Sequence, residues 1–416
     1  MESVSSYGSH SPEAPDMNAR TARTARTAVA TALVLGIAVG PAGPALAAAP
    51  APVAAVTTIQ EAPDAKALRA AIAGLPKADA TAALVRVAGT DGYWQGSSGV
   101  HDLESNRPAD PDARFRAGSV TKVFTAAVVL QLASEGKLDL NRPARHYLPE
   151  LIPASYRKVT VRQLLNHTSG IPSVGSGGDT LDEWYAHRFD LHDAADTVRE
   201  ATSHEPDFAP GTQQHYDNIG YTVAGLLIEE VTGHTYAAEV SRRILKPLHL
   251  KDTYFPGTDP TIRGPYNHGY QIFTGADGTG ELRDVSVWGA TDAWAAGDLI
   301  STTADLEHFI RALFRGQVVR GPLLEEMFTL PGASVREYGT GEPAAYSAGL
   351  SVVKLGGREV WGKTGGRWGY NTAVVATRDL SRTLVYSVNA TDAKGEGMNA
   401  TALNIVVAAF GAPSAG

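Results

Sequence analysis

The chain has 416 residues, 43% hydrophobic and 19% charged, with a formal net charge of −8 and no cysteine. That length and apolar content allow one large domain or two intertwined lobes around a sizeable core. The acidic balance, with no Lys/Arg-rich block in the body of the chain, argues against a nucleic-acid partner, and a chain without cysteine has no disulfide, thiol nucleophile or cysteine metal site.

Residues 20–47, RTARTARTAVATALVLGIAVGPAGPALA, set Arg20, Arg23 and Arg26 before an apolar stretch from Ala28 to Val39 and a small-residue site at Ala45-Leu46-Ala47. This order predicts a secretory signal cleaved after Ala47. The apolar run is short for a bilayer span. Residues 1–16 are polar and precede Met17, so translation is expected to start at Met17. No later run is long enough for a membrane anchor, and the mature protein is expected to be extracellular and monomeric. Ala48 to about residue 61 is an Ala/Pro-rich linker by composition.

Pro63–Leu75 carries Pro and Asp in a first turn, apolar residues at helical spacing and Gly74 near its end, which predicts a short helix. TAALVRVAG and YWQGSSGV alternate around Asp91-Gly92 and predict a β-hairpin. A third short strand is expected after Arg114. Ser119 to Ser134 is helical in pattern and closes at Gly136. The middle of the chain holds helical pieces, GYTVAGLLIEEVTG and YAAEVSRRILKPL, joined by polar loops. Strands return in AGLSVVKL, REVWG, YNTAVVATR and RTLVYSVNA, and MNATALNIVVAAF predicts a last helix ending at Gly411. Strands at both ends with helices between predict an α/β (α+β) domain: one antiparallel sheet built from both termini, flanked by helices, with a mainly helical insertion. The expected domain is 62–411, with a sheet lobe at about 62–118 plus 290–411 and a helical lobe at about 119–289.

Three short patterns carry chemistry. Ser119 and Lys122 form S-x-x-K at the start of the apolar helix, about one turn apart on one face. A serine hydroxyl needs an adjacent base, and a lysine can be that base if burial or a neighbouring cation lowers its pKa. Alone the pattern is weak, since about one match is expected by chance in a chain of this length. Ser155 and Lys158 make another copy, in a polar loop with no apolar helix behind it. Of the fifteen tyrosines, only Tyr216 has an asparagine, Asn218, two positions on. Lys363-Thr364-Gly365, followed by Gly366, is a tripeptide expected in roughly one such chain in twenty. S-x-x-K, Y-x-N and K-T-G in this order are far rarer than any one of them. His167 in NHTSG is expected to be a structural hydrogen-bonding group, and the twelve histidines show no metal-ligand spacing. Neither a metal nor a cofactor is expected. GADGTG, from Gly275 to Gly280, is expected to be a hairpin turn rather than a phosphate loop.

On these motifs, with TVRQLLNHTSGIP, PLHLKDTYFP and AAGDLISTTADL, the chain resembles the penicillin-recognising serine hydrolases over about residues 62–411. The branch is that of class C β-lactamases, secreted D-alanyl-D-alanine carboxypeptidases and related esterases, with the carboxypeptidases closest. The resemblance implies that Ser119 is the acylated nucleophile and that Lys122 and Tyr216 share the proton work. It implies that Asn218 bonds Lys122 and the substrate amide, and that Lys363 holds Tyr216 at a lowered pKa and attracts a negatively charged substrate. Thr364, Gly365 and Gly366 would line the substrate, with the Ser119 and Gly366 N–H groups as oxyanion hole. Two departures stand out. Gly366 occupies a position where penicillin-binding members carry Ser or Thr, and Ser351 stands where the carboxypeptidases place a carboxylate-binding arginine. Strand geometry should turn Arg367 away from that face. The expectation is a secreted serine hydrolase, D-alanyl-D-alanine carboxypeptidase-like, acting on a cell-wall stem peptide. An esterase or amidase, a β-lactamase, and a penicillin- or peptidoglycan-binding protein without turnover are the alternatives.

Overall fold

The computed structural model describes residues 62–411 apart from 176, 177, 179, 276, 277 and 396. The expected N-terminal extension and signal at 1–47 and the linker at 48–61 lie outside the described residues. Among the described residues, no helix is long and apolar enough to cross a membrane.

The main sheet has six strands: β1 (Ala80–Ala88), β2 (Trp94–Gly99), β3 (Ser351–Leu355), β4 (Arg358–Arg367), β5 (Tyr370–Thr377) and β6 (Thr383–Ala390). Their order is β2-β1-β6-β5-β4-β3, antiparallel throughout, so the two ends of the domain meet at the β1–β6 pair. Side chains alternate between two cores, as the period of a strand requires. Leu84, Val374 and Val385 join the larger core beneath the helices. Val85, Val87, Tyr386 and Val388 pack on the other face with helices α1 (Ala65–Ala71) and α5 (Ala400–Phe410). Burial on both faces explains why β1 and β6 read as nearly continuous apolar runs.

Helix α2 (Thr121–Ser134) runs through the larger core, and its residues Thr121–Leu130 are all buried. A helix apolar all round belongs in an interior. Phe124 stacks on Phe309 of α4 (Thr303–Phe314), at 3.7 Å between ring centres. Helix α3 (Ile219–Thr232) crosses the same core and stops at Gly233, whose left-handed φ of 69° ends it. The short strand expected after Arg114 is Phe115–Arg116. It pairs with Ile300–Ser301 rather than with the main sheet. The strands Tyr270–Thr274 and Gly280–Asp284 pair antiparallel, and the turn expected at 275–280 falls partly outside the described residues.

Candidate active site

The expected helix at Ser119 begins differently from its pattern. Gly118–Val120 form a 3₁₀ turn, and α2 starts at Thr121. That turn lies against β4. Gly118 has φ +53°, and a Cβ there would stand 2.7 Å from Gly366 N. A Cβ on Gly365 would stand 2.0 Å from Ala117 O. Both glycines are therefore fixed by close backbone approach, which no larger residue allows. Thr372 Oγ1 secures the contact by donating to Ala117 O at 2.9 Å.

Lys122 projects from α2 into this seam and is fully buried. Its Nζ has three polar neighbours: Ser119 Oγ at 3.2 Å, Asn218 Oδ1 at 2.7 Å and Ala296 O at 2.9 Å. Asn218 is free to reach it because Asp217 does the capping work at α3, accepting from Gly220 N at 2.6 Å. Burial drives the Lys122 pKa well below its usual value. The charge of Lys363 acts in the same direction, and Asp217 opposes it.

Tyr216 lies between two amines. Lys122 Nζ is 4.9 Å and Lys363 Nζ 4.5 Å from the centre of its ring. Its hydroxyl is buried and makes no well-formed hydrogen bond, although the Ser119 hydroxyl is near enough to favour the phenolate slightly. Burial wins and pushes the phenol above its ordinary range. The expected lowering of the Tyr216 pKa by Lys363 is thus reversed. Desolvation penalises every charged form here, so the lysines give way and the phenol keeps its proton. Lys363, 3% exposed, is brought down to about 7 by burial and donates to Thr364 O at 3.0 Å.

Beyond Gly362 the edge of β4 is open, because β3 pairs only as far as that residue. Arg367 and Tyr370 close the β4–β5 hairpin around a two-residue turn. Antiparallel pairs alternate in hydrogen bonding, so Thr364 and Gly366 turn their N–H and C=O groups to the open edge. Gly366 N–H thereby faces the cleft beside the Ser119 turn, as an oxyanion donor must.

Ser119, Lys122, Tyr216, Asn218, Lys363 and the 364–366 edge are therefore neighbours at one place, where α2 and α3 meet the edge of β4. The S-x-x-K copy at Ser155 and Lys158 does not join them, since both residues are exposed. Arg367 is turned away, as its strand position required. It makes a bidentate pair with Asp292, at 2.9 Å to each oxygen, and also donates to Gly289 O. Ser351 Oγ donates to Gly362 O at 3.2 Å. His167 is buried behind Tyr216, and its Nδ1 accepts from Asp217 N at 3.3 Å, with burial lowering its pKa. Sequence reasoning missed the Ala296 carbonyl, because a backbone acceptor has no residue type to announce it. It also missed Lys394, whose Nζ donates to Gly366 O at 3.0 Å. A single lysine in the loop before α5 stands out by no spacing.

A nucleophile, a buried amine and a backbone oxyanion edge held by glycine contacts define a serine hydrolase of the β-lactamase fold. The beta-lactamase family model matches residues 68–408, and the chain belongs to that family. It is similar to a D-stereospecific amidohydrolase from Streptomyces sp., with 34% identity and a TM-score of 0.71 over 84% of this chain and 99% of that one. A D-amino acid amidase from Ochrobactrum anthropi SV3 shares the fold, at 24% identity and a TM-score of 0.67, over 82% of this chain and 96% of that one. Among curated proteins, the esterase EstB of Burkholderia gladioli is 34% identical over 42% of this chain and 47% of its own length. Protein flp of Staphylococcus aureus is 29% identical over 51% of this chain and 41% of its own length. The chain thus matches less than half the length of these curated relatives.

Proposed function

We propose that this protein is an amidohydrolase or esterase that forms an acyl-enzyme on Ser119 and prefers donors with a neutral leaving group over peptides ending in a free carboxylate. The observation that carries the chemistry is the set of three neighbours around Lys122 Nζ. A neutral amine has two N–H groups and one lone pair. Two of its neighbours, Asn218 Oδ1 and Ala296 O, are pure acceptors, and the third is the Ser119 hydroxyl. The two N–H groups satisfy the acceptors and leave the lone pair for the serine proton. After attack on the carbonyl carbon, the ammonium has three donors for the same three oxygens, so proton transfer breaks no hydrogen bond. The Ser119 and Gly366 N–H groups then hold the oxyanion, and each such donor contributes about 3–4 kcal/mol in comparable enzymes. Tyr216, protonated and otherwise unbonded, relays the proton from Lys122 to the departing amine or alkoxide. Water, activated in reverse through the same groups, releases the acyl group.

The leaving-group preference follows from the side chains that do not reach the Lys363 end of the cleft, Lys394 standing at the other end beside Gly366 O. Arg367 is committed to Asp292, Ser351 to the sheet, and Gly366 has no hydroxyl. A carboxylate bound without its partners is disfavoured by several kcal/mol. The similarity to an amidohydrolase and an esterase supports this reading over the carboxypeptidase one. The test compares a D-alanine p-nitroanilide, a short-chain nitrophenyl ester and a peptide ending in D-Ala-D-Ala. At least about tenfold higher kcat/KM for the anilide or ester is expected. A peptide hydrolysed faster than both restores the carboxypeptidase assignment. We also propose export through the 20–47 signal, and secreted material should begin at Ala48.

A further inference from the structure

We propose that Lys394, with Trp368 beside it, forms a subsite on the acyl side of the cleft that selects substrates carrying an anionic group on the acyl portion. The proposal rests on the hydrolase reading above, in which Ser119 is acylated.

The direction of the cleft follows from the proton path. Tyr216 returns the proton to the leaving group and lies next to Lys363, so the leaving group lies toward the Lys363 end of the β4 edge. The acyl portion must then run the other way, past Gly366 and toward the Trp368 turn. Lys394 stands on that path. Its Nζ donates to the carbonyl of Gly366, the residue whose N–H serves the oxyanion, and lies 5.8 Å from the centre of the Trp368 ring. Trp368 is held in turn by Trp288 at 5.2 Å and Trp184 at 6.0 Å between ring centres. The aromatic wall is drawn from three separate stretches of chain.

The charge on Lys394 is available to a ligand. The side chain is exposed, and among the described residues no carboxylate forms an ion pair with it. Despite that exposure, loss of water around the amine brings its pKa down to about 8 and the Arg367 charge acts the same way, which still leaves it mainly an ammonium at pH 7. Asp292, the opposing acid, is closed in its pair with Arg367. An ammonium has three donors, and Gly366 O takes one, which leaves two for an incoming carboxylate. The same ammonium repels an acyl group with a free α-amino cation. It also covers the Gly366 carbonyl that such a cation would otherwise use.

The test uses D-alanine p-nitroanilide in three forms: N-succinylated (anionic), N-acetylated (neutral) and with the amine free (cationic). We expect kcat/KM to favour the succinyl form over the free amine by about 100-fold at low salt, with the ratio shrinking as ionic strength rises. Lys394→Ala should bring the ratio below about tenfold, and Lys394→Glu should invert it. Circular dichroism and melting of both variants report whether the fold is kept, and the ratio cancels any loss of active protein. Equal rates for the three forms, or preference for the free amine, overturn the subsite while leaving the hydrolase reading intact. Failure to hydrolyse any form, with no acyl adduct on Ser119 by mass spectrometry, overturns both.

Discussion

The chain contains the same four-residue pattern four times, and two of the copies, at Ser119 and Ser155, differ in everything except spacing. Ser155 lies in a 3₁₀ turn, Ala154–Tyr156, with its hydroxyl and the Lys158 ammonium both in water. Ser119 lies in a turn pinned by two glycine contacts, and Lys122 is buried with acceptors supplied from positions 218 and 296. Water solvates a lysine charge at almost no cost, so an exposed amine stays an ammonium and cannot take a proton at neutral pH. A base therefore comes from removing water and replacing it with oriented oxygens. The motif only brings the two residues within reach of each other.

Replacement of the two serines should separate the copies most sharply. Ser119→Ala should lower kcat by at least about 10⁴-fold and abolish the acyl adduct, while Ser155→Ala should leave both unchanged. Equal losses in the two variants would break the comparison outright. The lysines give the next contrast. Lys122→Met keeps the length of the side chain but removes the base, and a loss of about 10²–10⁴-fold is expected, against none for Lys158→Met. Burial, with the Lys363 charge acting the same way, lowers the Lys122 pKa well below 10.5, so activity should persist far below pH 10 and fall on acidification as the amine takes up a proton. A rate that climbs steeply only near pH 10 would mean that the buried amine keeps its charge, and that the two lysines are alike after all.

What could be read in advance divides along the same line. The six strands and the main helices were legible because alternation and helical spacing are local properties of consecutive residues. Ser119, Lys122, Tyr216, Asn218 and Lys363 were legible because their side chains fall in short patterns. The Ala296 carbonyl and the Arg367–Asp292 pair were not, since each depends on chain brought together from distant positions. The sign of the Tyr216 shift was misjudged for a related reason. Two nearby cations were counted as charges, but the burial that drives both lysines toward neutrality is a property of the assembled core.

Lys363 sharpens the comparison from the side of stability. Its folded pKa of about 7 lies below the ordinary lysine value of 10.5, so folding disfavours its protonated form. Between these values the unfolded chain binds a proton that the native state lacks, so native stability from this residue rises with pH across that window. At and below about pH 7 the penalty is present in full. Lys363→Met should therefore stabilise the protein by up to about 4 kcal/mol near pH 6.5, with the gain fading toward pH 10.5, while activity falls. Denaturant midpoints of both proteins at pH 6.5 and pH 10 test this. A difference that does not change with pH removes the desolvation argument for Lys363 and weakens it for Lys122.

The smallest effect expected concerns substrate choice. Gly366→Ser places a hydroxyl on the open edge of β4, next to the oxyanion donor. Space exists for it: the new Cβ would lie 3.3 Å from Ala393 O and 3.5 Å from Asn371 Nδ2, close enough to require a small adjustment but not a clash. The backbone of Gly366 has no positive φ, so no left-handed strain opposes a side chain there. Overpacking of this degree costs about 1 kcal/mol. A hydroxyl donating to a carboxylate returns about 1.5–3 kcal/mol in binding that anion. The variant should thus raise kcat/KM for a peptide ending in D-Ala-D-Ala by about tenfold relative to the neutral anilide, with little change in melting temperature. If the ratio between the two substrates stays where it was, the missing hydroxyl is not what limits carboxylate-ended donors, and the leaving-group preference must come from Lys363 or from the shape of the cleft near Thr364.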